Sequence, residues 1–243
     1  GYTFDKWSDN VMTASRTDTN VVNNISVSAS FVLASNSDSD GVDDSIEDAA
    51  PNLGDANDDS VADSTQNNVA SVISVVNSQY KVLETSGDCD EISAISSVSV
   101  DSLATQDNNH TYPAGLVDFN ISCVTPGEVA TITLYFYGDY DINTLKVMKF
   151  NGSDYVNISD AIISVVTIGG ESAVKVTYQI TDGGIYDTDG LVNGSISDPI
   201  GIGLEIVDEN TGSGFQSSNC STPFADVNSK TSQFSYICEL ENK

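Results

Sequence analysis

Seven apolar runs of strand length fill residues 79–180, at 79–85, 94–100, 116–123, 128–137, 145–150, 162–168 and 172–180. Turn-forming residues separate them: Pro126-Gly127, Asn151-Gly152, Gly169-Gly170 and Asp182-Gly183-Gly184. In the clearest run, Ala130, Ile132, Leu134 and Phe136 alternate with Thr131, Thr133 and Tyr135. A period of two puts one set of side chains on each face of a strand. Many short strands at this spacing predict a mainly β chain, an antiparallel β-sandwich of immunoglobulin-like or jelly-roll type.

The flanking segments read differently. Residues 1–33 are also β-like: Ile25, Val27, Ala29, Phe31 and Leu33 fall on one face, and Asn24, Ser26, Ser28 and Ser30 on the other. Two or three strands do not make a stable core alone, so 1–33 reads as a partial β module. Residues 69–76 predict a short helix, from the spacing of Val69, Val72, Ile73 and Val76. The expected organisation is a partial module at 1–33, an Asp-rich segment at 34–68, a sandwich at 69–200 and a β extension at 201–243.

Charge is very uneven. The chain carries 36 acidic and 8 basic residues, a net charge of −28. Such a surface repels nucleic acid and anionic lipid, so neither is an expected partner. No apolar run approaches the roughly 20 residues that span a bilayer, and direct membrane insertion is not expected. Gly1 is not a translation start, which reads as processing or a fragment. No basic residue lies between Arg16 and Lys81, while 36–66 holds ten Asp and Glu.

Those acidic residues fall in a pattern. Hard cations take six to eight oxygen ligands, and an EF-hand-type loop supplies them at positions 1, 3, 5, 7, 9 and 12, with Gly at 6. Counting from Asn36, these positions are Asn36, Asp38, Asp40, Val42 (through its carbonyl), Asp44 and Glu47, with Gly41 at 6. Counting from Asp55, they are Asp55, Asn57, Asp59, Val61, Asp63 and Gln66. The second loop departs twice, with Ser60 at 6 and Gln66 at 12, which predicts weaker binding or a carboxylate borrowed from Asp43, Asp48 or Asp58. A solvated acidic linker is the alternative. It gives no reason for oxygens at the same positions twice, 19 residues apart. Ca2+ is the expected ion. The segment then reads as a short stiff joint when loaded and a floppy tether when empty. Asp182, Asp187 and Asp189, among glycines, form a further acidic group that suits either a cation or Asx-turns.

Cys89, Cys123, Cys220 and Cys238 show no CxxC spacing, and His110 is the one histidine, so a zinc site lacks ligands. Buried thiols and two disulfides are both open. Sequence proximity favours Cys89–Cys123 and Cys220–Cys238 among three connectivities. No Ser-His-Asp arrangement stands out, and carboxylates are too numerous for one pair to read as acid and base. The expectation is a non-enzymatic protein.

Several stretches resemble known families. Asp38-Ser-Asp-Gly-Val-Asp-Asp and Gly54-Asp-Ala-Asn-Asp-Asp-Ser-Val-Ala-Asp resemble thrombospondin type 3-like calcium repeats of bacterial surface proteins. Residues 69–200 resemble the bacterial choice-of-anchor type U domain. The resemblance is carried by Tyr112-Pro-Ala-Gly-Leu-Val-Asp-Phe, Cys123-Val-Thr-Pro-Gly, Thr131-Ile-Thr-Leu-Tyr, Thr181-Asp-Gly-Gly and Asp187-Thr-Asp-Gly-Leu-Val-Asn-Gly-Ser-Ile-Ser-Asp-Pro. Gly1-Tyr-Thr-Phe-Asp-Lys-Trp-Ser-Asp with Ile25-Ser-Val-Ser-Ala-Ser-Phe resembles the end of a Listeria–Bacteroides-type surface repeat, a β-grasp-like module. The resemblance implies export and an extracellular or cell-surface home. It brings no catalytic residues. The functional expectation is a calcium-stabilised structural protein, a filament subunit that pairs with itself or with other surface components by strand complementation. The alternative is an adhesin or glycan-binding module, with Tyr112, Tyr135, Tyr137, Tyr140 and Tyr155 as an aromatic platform.

Overall fold

A computed structural model describes residues 2–33 and 35–206. The fold is a sandwich of two antiparallel sheets. The first holds β3 (Val69–Ile73), β4 (Tyr80–Gly87), β8 (Val129–Tyr137), β12 (Glu171–Thr181) and β11 (Ile162–Ile168), in the order β11-β12-β8-β4-β3. The second holds β5 (Glu91–Val98), β7 (Leu116–Ser122), β13 (Ser195–Glu205), β9 (Leu145–Phe150) and β10 (Tyr155–Asn157), in the order β10-β9-β13-β7-β5. A short β6 (His110–Thr111) pairs with the end of β13.

Alternation does what it predicts. Ala130, Ile132, Leu134 and Phe136 of β8 meet Val117, Phe119 and Ile121 of β7 and Ile196, Ile200 and Ile202 of β13 in one apolar interior. Cys89 and Cys123 form a disulfide that ties the start of β5 to the end of β7. The Cys220–Cys238 pairing lies outside the described residues.

Three expectations change. Residues 69–73 are strand, not helix. β3 is buried on both faces, Ala70 and Val72 inside the sandwich and Val69 on the outer side, so its apolar residues do not alternate. β13 runs through residue 200, and the apolar run at 202 is its second half. At the N-terminus, β1 (Tyr2–Trp7) pairs with β2 (Ala29–Leu33) as a separate two-stranded sheet, and the alternation at 21–28 is not strand.

The Asp-rich segment is no free joint. Ala50 and Ala56 pack on Val69, Val82, Tyr135, Tyr137, Ile168 and Ala173, covering part of the outer face of the five-stranded sheet. Tyr137 donates to the Ala56 carbonyl at 2.8 Å, and Tyr80 to that of Ile46 at 2.9 Å. Gly169, in the β11–β12 turn, lies so close that a Cβ there would sit 2.9 Å from Asn52 Cα. At its other end the segment enters the gap between β3 and β5, the lateral strands of the two sheets. Val42 packs on the interior, and a Cβ on Gly41 would lie 3.5 Å from Ala94 Cα. A few small apolar residues among the aspartates are enough to dock the segment as a strap.

Candidate metal centre

The first loop winds around its own carboxylates. Asn36 Oδ1 accepts from the Ser39 N–H at 2.6 Å, Asp38 Oδ1 from that of Asp40 at 3.3 Å, and Asp40 Oδ1 from that of Val42 at 2.8 Å. Such Asx contacts curl the chain inward. Gly41 allows the sharp bend, at φ +101°. A one-turn helix, α1 (Asp44–Glu47), then returns Glu47 to the loop.

The result is a concentrated acidic cluster. Asp38, Asp40 and Glu47 each bring an oxygen within 4.8 Å of the others. Asp40 and Glu47 are 0% exposed. Asp38 Oδ2, Asp40 Oδ2 and Glu47 Oε2 are buried without a hydrogen-bond partner. Among the described residues one further side-chain oxygen is orphaned in this way, Asn57 Oδ1 of the second loop. Burial pushes the Asp40 carboxyl up to about 7, with the Asp38 charge adding to it. Burial and then the Asp40 charge push Glu47 up to about 9. An unpaired buried carboxylate costs several kcal/mol, on the order of 1–3 or more each. An oxygen-seeking cation at this point removes both the repulsion and the missing contacts. The donor set therefore fits a metal ion.

The remaining first-loop residues are placed as follows. Val42 serves the core with its side chain. Asp44 turns to Ser37, accepting from its N–H at 2.7 Å and its hydroxyl at 2.8 Å, and contacts to Ser35 and Ser37 hold its carboxyl below the usual range. Asn36 Nδ2 lies 3.5 Å from Asp40 Oδ1. Asp43 accepts from the Ser45 hydroxyl at 3.3 Å and Asp48 from that of Ser64 at 2.7 Å.

Apart from the orphaned Asn57 Oδ1, the second loop's side-chain oxygens are largely taken up by its own donors. Asp55 accepts from the N–H groups of Asp59 and Ser60, at 3.0 and 3.1 Å. Asp59 accepts from the Val61 N–H at 2.9 Å, and from Asn57 Nδ2 and Gln66 Nε2. Gln66 Nε2 also lies 3.4 Å from the Val61 carbonyl. Ser60, where the pattern wants Gly, is left-handed at φ +75°. Asp63 faces the other way, accepting from the Ala56 N–H and from the Ser71 hydroxyl at 2.5 Å, and burial raises it to about 6. Among the described residues, no second set of three acidic, His or Cys side chains comes as close together as Asp38, Asp40 and Glu47.

Ser71 of β3 joins the loops. Its N–H donates to Glu47 Oε1 at 3.2 Å, while its hydroxyl holds Asp63. Nothing in the sequence marks this serine, because it lies within the strand taken for a helix. The third acidic group is built as a set of turns. Asp182 accepts from the N–H groups of Gly127, Asn193 and Gly194, and Asp187 from those of Gly183 and Ser197. Asp189 accepts from the Leu191 N–H and from Asn193 Nδ2. Tyr112, Tyr135 and Tyr137 are buried, so the five tyrosines form no exposed platform. No family model, curated protein or solved structure matches the chain.

Proposed function

We propose that the strap binds Ca2+ at Asn36–Glu47 and, more weakly, at Asp55–Gln66, and that the bound ion holds it on the sandwich. The observation that carries this reading is the trio of orphaned carboxylate oxygens on Asp38, Asp40 and Glu47. All-oxygen donors at EF-hand spacing suit a hard cation of calcium size. The role is structural: the ion neutralises the segment that covers one sheet and the gap between β3 and β5.

On this reading the protein is an extracellular, calcium-stabilised component of a bacterial surface. The resemblance to bacterial surface repeats and the Cys89–Cys123 disulfide, which suits an oxidising compartment, support it. The chain is also a subunit that assembles head-to-tail by strand complementation. The support is β2, whose five residues are all exposed in a two-stranded sheet with no core of its own, Phe31 at 58% and Leu33 at 70%. Such a strand gains by joining a neighbour's sheet.

Calorimetric titration of chelator-treated protein tests the ion. Binding of Ca2+ that is lost in Asp40→Asn supports the reading, and no heat and no shift in melting temperature would refute it. Negative-stain microscopy of the native protein tests assembly, where single particles with and without Ca2+ would rule out the fibre.

A further inference from the structure

The sandwich interior contains a second arrangement that the strap does not use. Lys149 of β9 and Asp198 of β13 meet between the sheets, 1% and 0% exposed at their side chains, with Nζ 2.5 Å from Oδ1. The pair is enclosed by other partners. Tyr178 reaches over from β12 in the opposite sheet and donates its O–H to Asp198 Oδ2, and Lys149 Nζ donates to Thr188 Oγ1 at 2.9 Å. Ile196, Ile200, Ile202, Val147 and Val176 pack in the same interior.

We propose that this pair condenses within the folded chain to an amide between Lys149 Nζ and Asp198 Cγ, an internal covalent staple between β9 and β13. The geometry supplies each requirement. Both groups are taken out of water between the sheets, at 1% and 0% side-chain exposure, which penalises a charged pair there. Burial raises the Asp198 carboxyl, in the direction that transfer of a proton from Lys149 requires. The fold holds nucleophile and electrophile in contact, where effective molarities reach about 10⁵–10⁸ M. Tyr178 faces the oxygen on which negative charge develops, and its own proton is held tightly, because burial and Asp198 raise its pKa well above the ordinary tyrosine value.

The step balances without a co-reactant. One ammonium proton passes from Nζ to Oδ1. The amine lone pair attacks Cγ while an N–H stays on Thr188, and Oδ2 takes the charge against the Tyr178 hydroxyl. The Nζ–Cγ bond forms, the Cγ–Oδ1 bond breaks, and Oδ1 leaves as water carrying two of the three ammonium protons. The third remains on the amide. Nothing is oxidised or reduced. One further carboxylate acts on the pair from the same sheet: the Asp118 charge adds to the rise of Asp198. Asp118, whose carboxyl senses the Lys149 charge, belongs to the alternate set of β7 residues, between the inward Val117 and Phe119.

Intact-mass measurement of the purified wild-type chain, reduced and denatured, tests the staple directly. The expected result is a mass lower than the sequence by one water, with a branched proteolytic peptide that joins the segments containing Lys149 and Asp198. Lys149→Arg restores the full mass, and Tyr178→Phe slows the appearance of the deficit after synthesis. A full-sequence mass in the aged wild-type protein overturns the proposal. So does loss of water with only linear peptides, which marks a cyclised aspartate instead. Because the wild-type mass decides, variants that fail to fold leave the test intact.

Discussion

Glu47 accepts the outward-facing N–H of Ser71, at 3.2 Å, with one carboxylate oxygen and leaves the other buried and unpartnered beside Asp38 and Asp40. One side chain thus serves the edge of β3 and the acidic cluster together. Substituting it separates the two roles. Glu47→Gln keeps an acceptor for Ser71 but removes the carboxylate through which the cluster would hold a cation. In chelator it should melt no lower than wild type. With Ca2+ it should lose the wild-type gain. That gain is about 2.7 kcal/mol at a hundredfold excess over Kd. At about 2–4 °C per kcal/mol for a chain of this size, this is ~5–11 °C. Scanning fluorimetry with and without Ca2+ checks both signs.

The chelated protein should lose stability as pH rises. Asp40, Glu47 and Asp63 have folded pKa values of about 7, 9 and 6, above ordinary carboxylate values of 3.8 and 4.5. A group raised by folding contributes stability that is complete below its unfolded pKa and lost as pH climbs through the folded one. The loss therefore begins near pH 4 and extends to about 9. Added Ca2+ should flatten this slope, since a cation favours the ionised carboxylates. Melting temperatures from pH 4 to 9 in chelator and in Ca2+ measure it, and a slope unchanged by Ca2+ contradicts the expectation.

The disulfide should matter in proportion to the loop it closes. Cys89 and Cys123 are 34 residues apart, which corresponds to about 4 kcal/mol in the loop-entropy account. A double Ala variant should melt lower by roughly 8–16 °C while keeping its response to Ca2+. Chemical denaturation of the variant and the parent gives the difference.

Tyr137→Phe removes the hydrogen bond to the Ala56 carbonyl and leaves that carbonyl without its tyrosine donor. The expected cost is on the order of 1 kcal/mol. Because the bond fastens the strap and not the interior, limited proteolysis should speed up within 48–66 more than elsewhere. Uniform acceleration would indicate a general loss of stability instead.

The sandwich was legible because β8, β9, β11 and β12 alternate or end at strong turns, and residues alone carry that information. β3 was hidden by its burial on both faces. Of the first loop, the fold draws together Asp38, Asp40 and Glu47, which the spacing had named. The docking of 36–66 was not, because Ala50 and Ala56 look unremarkable among aspartates. The anchors Tyr80, Tyr137 and Ser71 are distant in sequence. Lys149 and Asp198 were equally silent: a lysine in a strand reads as surface until the register places it opposite Ile200 on the inner face.

The strap's position also bears on how copies of this chain behave toward one another. A lateral strand with free N–H and C=O groups is a template for any other chain. Here the outward N–H of Ser71 on β3 is capped by a carboxylate, and Gly41 lies against the β5 backbone. That cover is held by a segment whose own charges resist being there. On the proposed reading, the ion concentration of the surroundings would set colloidal behaviour as well as melting: a bound cation would keep the lateral strands shielded, and its loss would leave them adhesive.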